Sequence, residues 1–483
     1  MIQLSLVLRL LGPSIAALGV TFLGLALFDA VFWHDRTETV FSELGVGYLV
    51  AGLFLLQPLR GKQHHLRSRD AMLLVTLTWL VIAMLGAVPF VVFERLSFTD
   101  AVFETMSGLT TTGATVFTHI EGEPPTVLMY RQFIQWLGGL GIILLVVAIL
   151  PMLNVGGMKI YKAETPGPMK DDKLSPRISH TARYLWGVYV FLTLSCALAF
   201  WGAGMNLYDA FAHSFTTVAT GGFSTHDASL GYFDSVAIEM VANVFMVLGS
   251  INFGLHFVAL RRGMLQVYWR DQETRVFLGV VAVATLLVAG LLLLRGQYDS
   301  VWTTLRHALF QVISFISTTG FGSTGFTDWP DAAVVMLILL GFVGGCAGST
   351  AGGNKIVRWI LTAKMTYAQF RQLVHPHAMQ TIRYMKRPVP EAILGSVRVF
   401  MFYSVILSLV LAIALMMTGL DFVSAYSAVA ACLNVLGPGF GSVGANFEPV
   451  SDVGTWILIL TMLIGRLEYF TVLVLFTRRF WKY

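Results

Sequence analysis

Residues 111–114 read Thr111-Thr112-Gly113-Ala114, and three further segments share their form: Thr220-Gly221-Gly222-Phe223, Thr318-Thr319-Gly320-Phe321 and Val435-Leu436-Gly437-Pro438. Each lies between two long apolar stretches. Aligning Gly113, Gly222, Gly320 and Gly437 without gaps puts Ala101, Ala210, Ala308 and Ala425 in one column, twelve residues upstream. The column before it holds Asp100, Asp209, His307 and Ser424, which predicts helix N-terminal residues in at least three copies. Each copy reads as an apolar span, a short helix of about three turns, an extended strand and a second span. All four share one orientation, so they are parallel repeats and not the inverted pairs common in secondary transporters.

The surroundings fix the solvent. A chain of 483 residues with 56% hydrophobic and 12% charged residues and a mean hydropathy of +0.73 cannot coat a soluble globule. Apolar runs of about 20 residues, enough to cross ~30 Å of hydrocarbon, recur along its whole length. About ten are expected, near 5–28, 44–59, 71–93, 127–151, 183–204, 236–260, 275–294, 332–360, 396–418 and 453–478. No small-residue cleavage site follows the first, which therefore reads as a retained span. The expected fold is an all-α integral membrane protein with four tandem span–short helix–span repeats around one pore. An accessory N-terminal hairpin occupies 1–65, and the repeats occupy 66–165, 166–270, 271–375 and 376–483.

Charge sets the orientation. Lys and Arg cluster after the second, fourth, sixth and eighth spans and at the C-terminal end (Arg60, Lys62, Lys159, Lys162, Arg261, Arg262, Arg371, Arg383, Arg478, Arg479). Short basic loops stay cytoplasmic, which places both termini there. The opposite loops carry Asp100, Glu121, Asp209, Asp227, Asp234, Asp328 and Asp421 among others, a field that enriches cations near an outer mouth. The net charge of +5 is thus the sum of two separated patches and does not point to nucleic acid. Cys196, Cys346 and Cys432 show no paired spacing, so neither a disulfide framework nor a zinc site is implied.

A dehydrated cation can be held by converging backbone carbonyls if the strand adopts alternating, partly left-handed conformations, and glycine permits that geometry. Threonine adds a hydroxyl oxygen, as at Thr111, Thr220 and Thr318. Non-helical backbone at membrane depth survives only where it is buried or lines water, so four such strands should meet around one aqueous axis. Gly and Thr are also ordinary close-packing residues of membrane helices. Four copies on one side with a matching alanine column outweigh that reading. The candidate cation-binding set is Thr111, Thr112, Gly113, Thr220, Gly221, Gly222, Thr318, Thr319, Gly320, Val435, Leu436 and Gly437.

With the glycine-rich run Gly344-Gly345-Cys346-Ala347-Gly348-Ser349-Thr350-Ala351-Gly352-Gly353 and Gly465-Arg466 in the last span, these four segments resemble the TrkH/TrkG-type potassium uptake proteins of the superfamily of K+ transporters. The resemblance covers nearly the whole chain, and the leading hairpin favours this branch over the related eight-span proteins. It implies a bacterial inner-membrane K+ pathway, built as a homodimer and gated by a cytosolic, nucleotide-binding TrkA-like ring. No covalent cofactor is implied, and nucleotide enters only through that partner. The copies depart from the symmetric potassium-channel pattern: the second reads Thr-Gly-Gly, and the fourth has Val-Leu-Gly followed by Pro438. Looser geometry predicts modest discrimination between K+ and Rb+ and weaker rejection of Na+.

Five of the ten residues 344–353 are glycine, each costing about 1 kcal/mol against alanine in a helix. A loop is expected there. Lys355 follows it, but Gly-Lys-Ser/Thr is absent and no strand precedes it, so it does not read as a phosphate-binding loop. A glycine seam for helix packing is the plain alternative. The resemblance makes it a mobile gate, with Gly344, Gly345, Gly348, Ser349, Thr350, Gly352 and Gly353 as its candidate residues. Arg466 joins them: a lone charge in mid-span costs several kcal/mol unless it meets water or a partner. Glu468, about 200° around the helix, cannot pair with it. Arg466 must look to the pore or to carbonyls freed in 344–353.

Weaker candidates complete the set. His375 and His377 lack further metal ligands. Asn243, Asn252 and His256 read as interhelical hydrogen-bonding groups, and Trp33 and Trp481 as interfacial anchors. The basic loops 152–182 and 362–394 suit a cytosolic regulator or plain topology equally. A channel-like K+ pathway leads; a transporter coupling K+ to H+ or Na+ shares its residues; an enzyme finds no cluster of catalytic residue types at one depth.

Overall fold

The computed structural model describes residues 3–34, 37–56, 67–93, 96–148, 174–377, 380–385 and 387–482. Two leading helices, α1 (Gly12–Phe28) and α2 (Glu38–Leu55), pack along their length as a hairpin. Small residues allow the close approach: a Cβ on Gly19 would lie 2.5 Å from the Leu49 nitrogen, and one on Gly52 2.5 Å from that of Ala16.

Four units follow. The first has α3 (Ser68–Gly86), the short α4 (Phe98–Leu109) and α5 (Pro125–Ala148); the second has α6 (Leu174–Gly202), α7 (Leu207–Val218), α8 (Val236–Ser250) and α9 (Phe253–Arg262). The third has α10 (Gln272–Leu294), α11 (Val301–Ile316), α12 (Asp331–Val343) and α13 (Ile356–Val374). The fourth has α14 (Glu391–Met416), α15 (Phe422–Leu433), α16 (Asp452–Arg466) and α17 (Phe470–Leu473). A minimal antiparallel hairpin, β1 (Arg383–Tyr384) and β2 (Arg387–Pro388), precedes α14. The short helices form the centre: Ala101, Ala210, Ala308 and Ala425, the aligned alanine column, are all fully buried. Outer helices show large apolar side chains to their surroundings, such as Leu286 on α10 and Phe402, Val405 and Ile413 on α14. A bilayer is the solvent that such a surface fits.

Caps explain where three short helices begin. The Ser97 hydroxyl accepts from Asp100 N–H, the Asn206 side chain from Asp209 N–H, and the Asp421 carboxylate from Val423 and Ser424 N–H. The column of Asp100, Asp209 and Ser424 is therefore the third helical position. His307 departs from it. Helix α11 starts at Val301 and runs 16 residues, so His307 lies well inside. Arg306, beside His307, pairs with Glu239 of α8 at 2.7 Å.

Among the described residues six helices are long and apolar enough to cross a membrane, or eight if two bent pairs each count as one span. The expected runs 236–260 and 453–478 are not straight spans. The first bends by 103° between α8 and α9, the second by 112° after Arg466. Neither break is built on a glycine run. At the first, Asn252 caps α9 by accepting Gly254 N–H at 2.7 Å; at the second, Glu468 and Tyr469 are left-handed at φ 57° and 50°. The third unit breaks where expected, with α12 ending at Val343 and α13 starting at Ile356. Among the described residues three of the four second spans are therefore interrupted, not one.

Candidate functional site

The four short helices end alike. Thr112 N–H donates to Ser107 O, Gly221 to Thr216 O, Thr319 to Ser314 O and Leu436 to Ala431 O, all within 2.7–2.9 Å. Inside each six-residue ring, Thr111, Thr220, Thr318 and Val435 donate three residues back. This is the glycine-type helix terminus, yet its left-handed position holds a β-branched residue every time, at φ 58°, 52°, 55° and 59°. Such a residue costs about 1–2 kcal/mol there, and strain of that kind gathers at functional sites. Two residues on, Gly113, Gly222, Gly320 and Gly437 are left-handed again, at φ 83°, 79°, 80° and 102°.

The strands close a ring. A Cβ on Gly113 would collide with Gly221 O, on Gly222 with Thr319 O and on Gly320 with Leu436 O; one on Gly437 would lie 2.7 Å from Thr112 O. Each copy thus meets the next, and the fourth meets the first. All twelve strand residues named from the sequence are brought together here, and the C-terminal ends of four helices converge on them, a polarity that favours a cation. Thr111 presents a buried hydroxyl oxygen without a hydrogen-bond partner among the described residues.

Charged and amide side chains that the sequence reading passed over brace this ring. Glu104 on α4 and Arg131 on α5 are both fully buried and pair at 2.5 Å. Glu104 also accepts Val116 N–H at 3.1 Å, and the Arg131 guanidinium lies 4.2 Å from the centroid of Phe223, next to the second glycine. Gln135 donates to Gly221 O at 2.8 Å and accepts Phe223 N–H at 3.1 Å. The signal available in the sequence was a lone carboxylate and a lone guanidinium flanking one strand in otherwise apolar surroundings. Removing one partner of such a pair costs about 3–5 kcal/mol. Glu104→Gln is therefore expected to lower the thermal midpoint strongly in a size-exclusion melting series, and adding Arg131→Met to recover part of the loss.

Residues 344–355 lie against the ring's other side. Gly352 N–H donates to Thr318 Oγ1 at 2.6 Å and Gly353 N–H to Asn434 O at 3.1 Å, so the segment touches the third and fourth copies. Thr350 Oγ1 donates to Val218 O and Gly249 O, both at 3.0 Å. Cys346 N–H donates to Ser250 O at 2.8 Å, while Phe253 N–H donates to Gly348 O at 3.0 Å. The segment thus satisfies backbone groups exposed by the bend in the second unit. Gly344, Gly348 and Gly353 are left-handed, at φ 72°, 73° and 71°. Cys196, Cys346 and Cys432 are free and buried.

Arg466 ends α16 and is 4% exposed. Its Nη1 donates to Thr350 O at 3.0 Å and its Nη2 to Gly138 O on α5 at 3.3 Å. It ties the segment to the first unit, through one of the carbonyls that the glycine-rich break frees. Glu468 instead takes Arg358 of α13 at 2.6 Å. Arg358 in turn lies 3.9 Å from the Phe400 ring centroid. His256 bridges Leu248 O and the Tyr268 hydroxyl, both at 2.8 Å. Of the two basic loops, 362–394 begins within α13, and most of 152–182 lies outside the described residues.

With this geometry in place, comparison with known proteins is decisive. A family model for cation transport proteins, TrkH, matches residues 45–483. The chain belongs to the TrkH family. It is 45% identical over 484 residues to the Trk system potassium uptake protein TrkH of Vibrio parahaemolyticus, covering 99% of this chain and 100% of that one. It is 47% identical over 455 residues to the TrkH of Salmonella typhimurium, covering 94% of each. Against a crystal structure of the potassium transporter TrkH from Vibrio parahaemolyticus the TM-score is 0.92, at 42% identity and full coverage of both chains. This TrkH-family member is a multi-pass membrane protein of a transport family, not an enzyme family.

Proposed function

We propose that this chain carries K+ into a bacterial cell across the inner membrane, through a channel-like pore whose selectivity filter is the ring of four strands. Its oxygens come from the backbone and hydroxyls of Thr111, Thr112, Gly113, Thr220, Gly221, Gly222, Thr318, Thr319, Gly320, Val435, Leu436 and Gly437. The observation that carries this reading is the fourfold recurrence of left-handed backbone, at a β-branched residue and again two residues later at glycine. A function served by that backbone accounts for strain kept in all four copies. Rb+ passes as well, and Na+ weakly.

Beneath the filter, the loop with Gly344, Gly345, Gly348, Ser349, Thr350, Gly352 and Gly353, together with Arg466, forms the gate. The loop holds onto both neighbouring units by hydrogen bonds that can be exchanged, and Arg466 adds a positive charge on the path. A homodimer with a cytosolic TrkA-like ring, both termini on the cytosolic side, and repeat units at 66–165, 166–270, 271–375 and 376–483 complete the proposal. Rb+ uptake into K+-loaded proteoliposomes tests it: accumulation that excess K+ competes away is expected, and its absence from folded protein refutes the reading. Gly348→Ala with Gly352→Ala is expected to change the rate of that uptake while its Rb+ to Na+ ratio holds, the glycine-rich loop yielding where a Cβ at 352 meets Asn434 O and the Val435 side chain.

A further inference from the structure

Glu273, on the first turn of α10, is 4% exposed. Its Oε1 accepts the backbone N–H of Ala347 at 2.7 Å and that of Val357 at 3.1 Å. Ala347 belongs to the first limb of the 344–355 loop, and Val357 to the first turn of α13, just past the second limb. One carboxylate oxygen therefore joins the loop's two ends. Ile356 N–H donating to Gly345 O at 3.0 Å closes the same base.

The physical logic is that of a cap supplied from another helix. The first N–H groups of α13 have no acceptor within their own helix, and a helix N-terminus favours negative charge. Bonds to an ionised acceptor are shorter and about twice as strong as neutral ones. Glu273 itself is firmly placed, because Asp271 caps α10 by accepting both the N–H and the hydroxyl of Thr274 at 2.7 Å. The loop is thus anchored by a fixed carboxylate on a helix that belongs to neither of its limbs.

We propose that Glu273 is the latch of this loop: a positioning residue that holds 344–355 beneath the ring, and whose bonds to Ala347 and Val357 break when the loop clears the ion path. This rests on the gating role proposed for the loop.

The test uses the full chain in proteoliposomes. Glu273→Ala removes the one acceptor of both bonds and is expected to raise basal Rb+ uptake severalfold while the Rb+ to Na+ ratio stays at the wild-type value. Cys346, next to Ala347 and fully buried, supplies a second readout. With Cys196→Ala and Cys432→Ala in the background, a membrane-permeant maleimide is expected to label it faster in Glu273→Ala than in the parent. Glu273→Gln keeps a carbonyl oxygen without the charge and is expected to fall between the two in both readouts. Folded Glu273→Ala with parental flux and parental labelling overturns the latch. If Glu273→Ala does not fold, Glu273→Gln decides by the same measurements, and parental values there overturn it. Arg466→Ala run alongside separates the two levels of the proposal. A rise with Arg466→Ala alone removes the latch and leaves the gate, whereas no rise in either variant removes both.

Discussion

Replacing Arg466 with alanine is expected to raise basal K+ or Rb+ flux about tenfold or more in the absence of any regulatory subunit. Two effects act in one direction. A unit positive charge within several Å of a cation path opposes a passing ion by about 2–4 kcal/mol at an effective dielectric of about 20. The same guanidinium holds the loop in place, through Thr350 O at 3.0 Å, and anchors it to the first unit through Gly138 O at 3.3 Å. Alanine removes the barrier and unties the loop together. Lysine, which keeps the charge and loses the fork of donors, separates the two contributions. Rb+ uptake by monodisperse protein in liposomes checks this, and unchanged or reduced flux for Arg466→Ala contradicts the gating role.

Gly113→Ala is expected to reduce ion flux by about ten- to a hundredfold, from strain of about 1–3 kcal/mol concentrated at the ion path. At φ 83° an L-residue is disfavoured, and the added methyl collides with the Gly221 carbonyl of the neighbouring strand. Rigid backbone lies on both sides, so relief must come by turning a carbonyl of the ring itself. The effect is expected on conduction and ion preference at once, unlike the loop variants, which alter rate alone. Gly279→Ala on α10 is the control, because its Cβ meets open space. Flux of Gly113→Ala equal to that of the control would remove the strand from the ion path.

The two variants act on features that were unequally legible. The ring was readable because a fourfold architecture repeats its constraints: glycine where a neighbour's carbonyl approaches, alanine where short helices pack, and a β-branched residue at the left-handed turn. Val435 keeps that turn at φ 59° without a hydroxyl, so the backbone, and not the threonine side chain, is the common element. The break at 344–355 was readable because glycine opposes helix locally. The bends after Ser250 and Arg466 were not, since their sequences carry no comparable local signal. Ser250 O and Phe253 N–H leave the helix pattern because Cys346 N–H and Gly348 O, about a hundred residues away, take their place. Long-range partners of that kind have no periodicity to detect.

The same holds for the charged groups. Arg466 stood out as a lone charge within an apolar run, but its two carbonyl partners lie in distant elements. Glu104 and Arg131 are 27 residues apart on two helices, and only the fold shows that they neutralise each other beside the strand ring. The helix starts were readable in three copies, at Asp100, Asp209 and Ser424. In the third copy, α11 begins at Val301, about a turn before the start that His307 implies, and no side-chain cap marks that start.

The central claim is that a ring of four backbone strands passes K+ down its own gradient, with no second ion carried along. Reversal potential in proteoliposomes under separately imposed K+, Na+ and pH gradients tests it most directly. The account expects the reversal potential to follow the K+ gradient, to shift little with Na+ and to ignore pH. A reversal potential that moves with the H+ or Na+ gradient at fixed K+ would contradict it, and would assign the same residues to a coupled transporter.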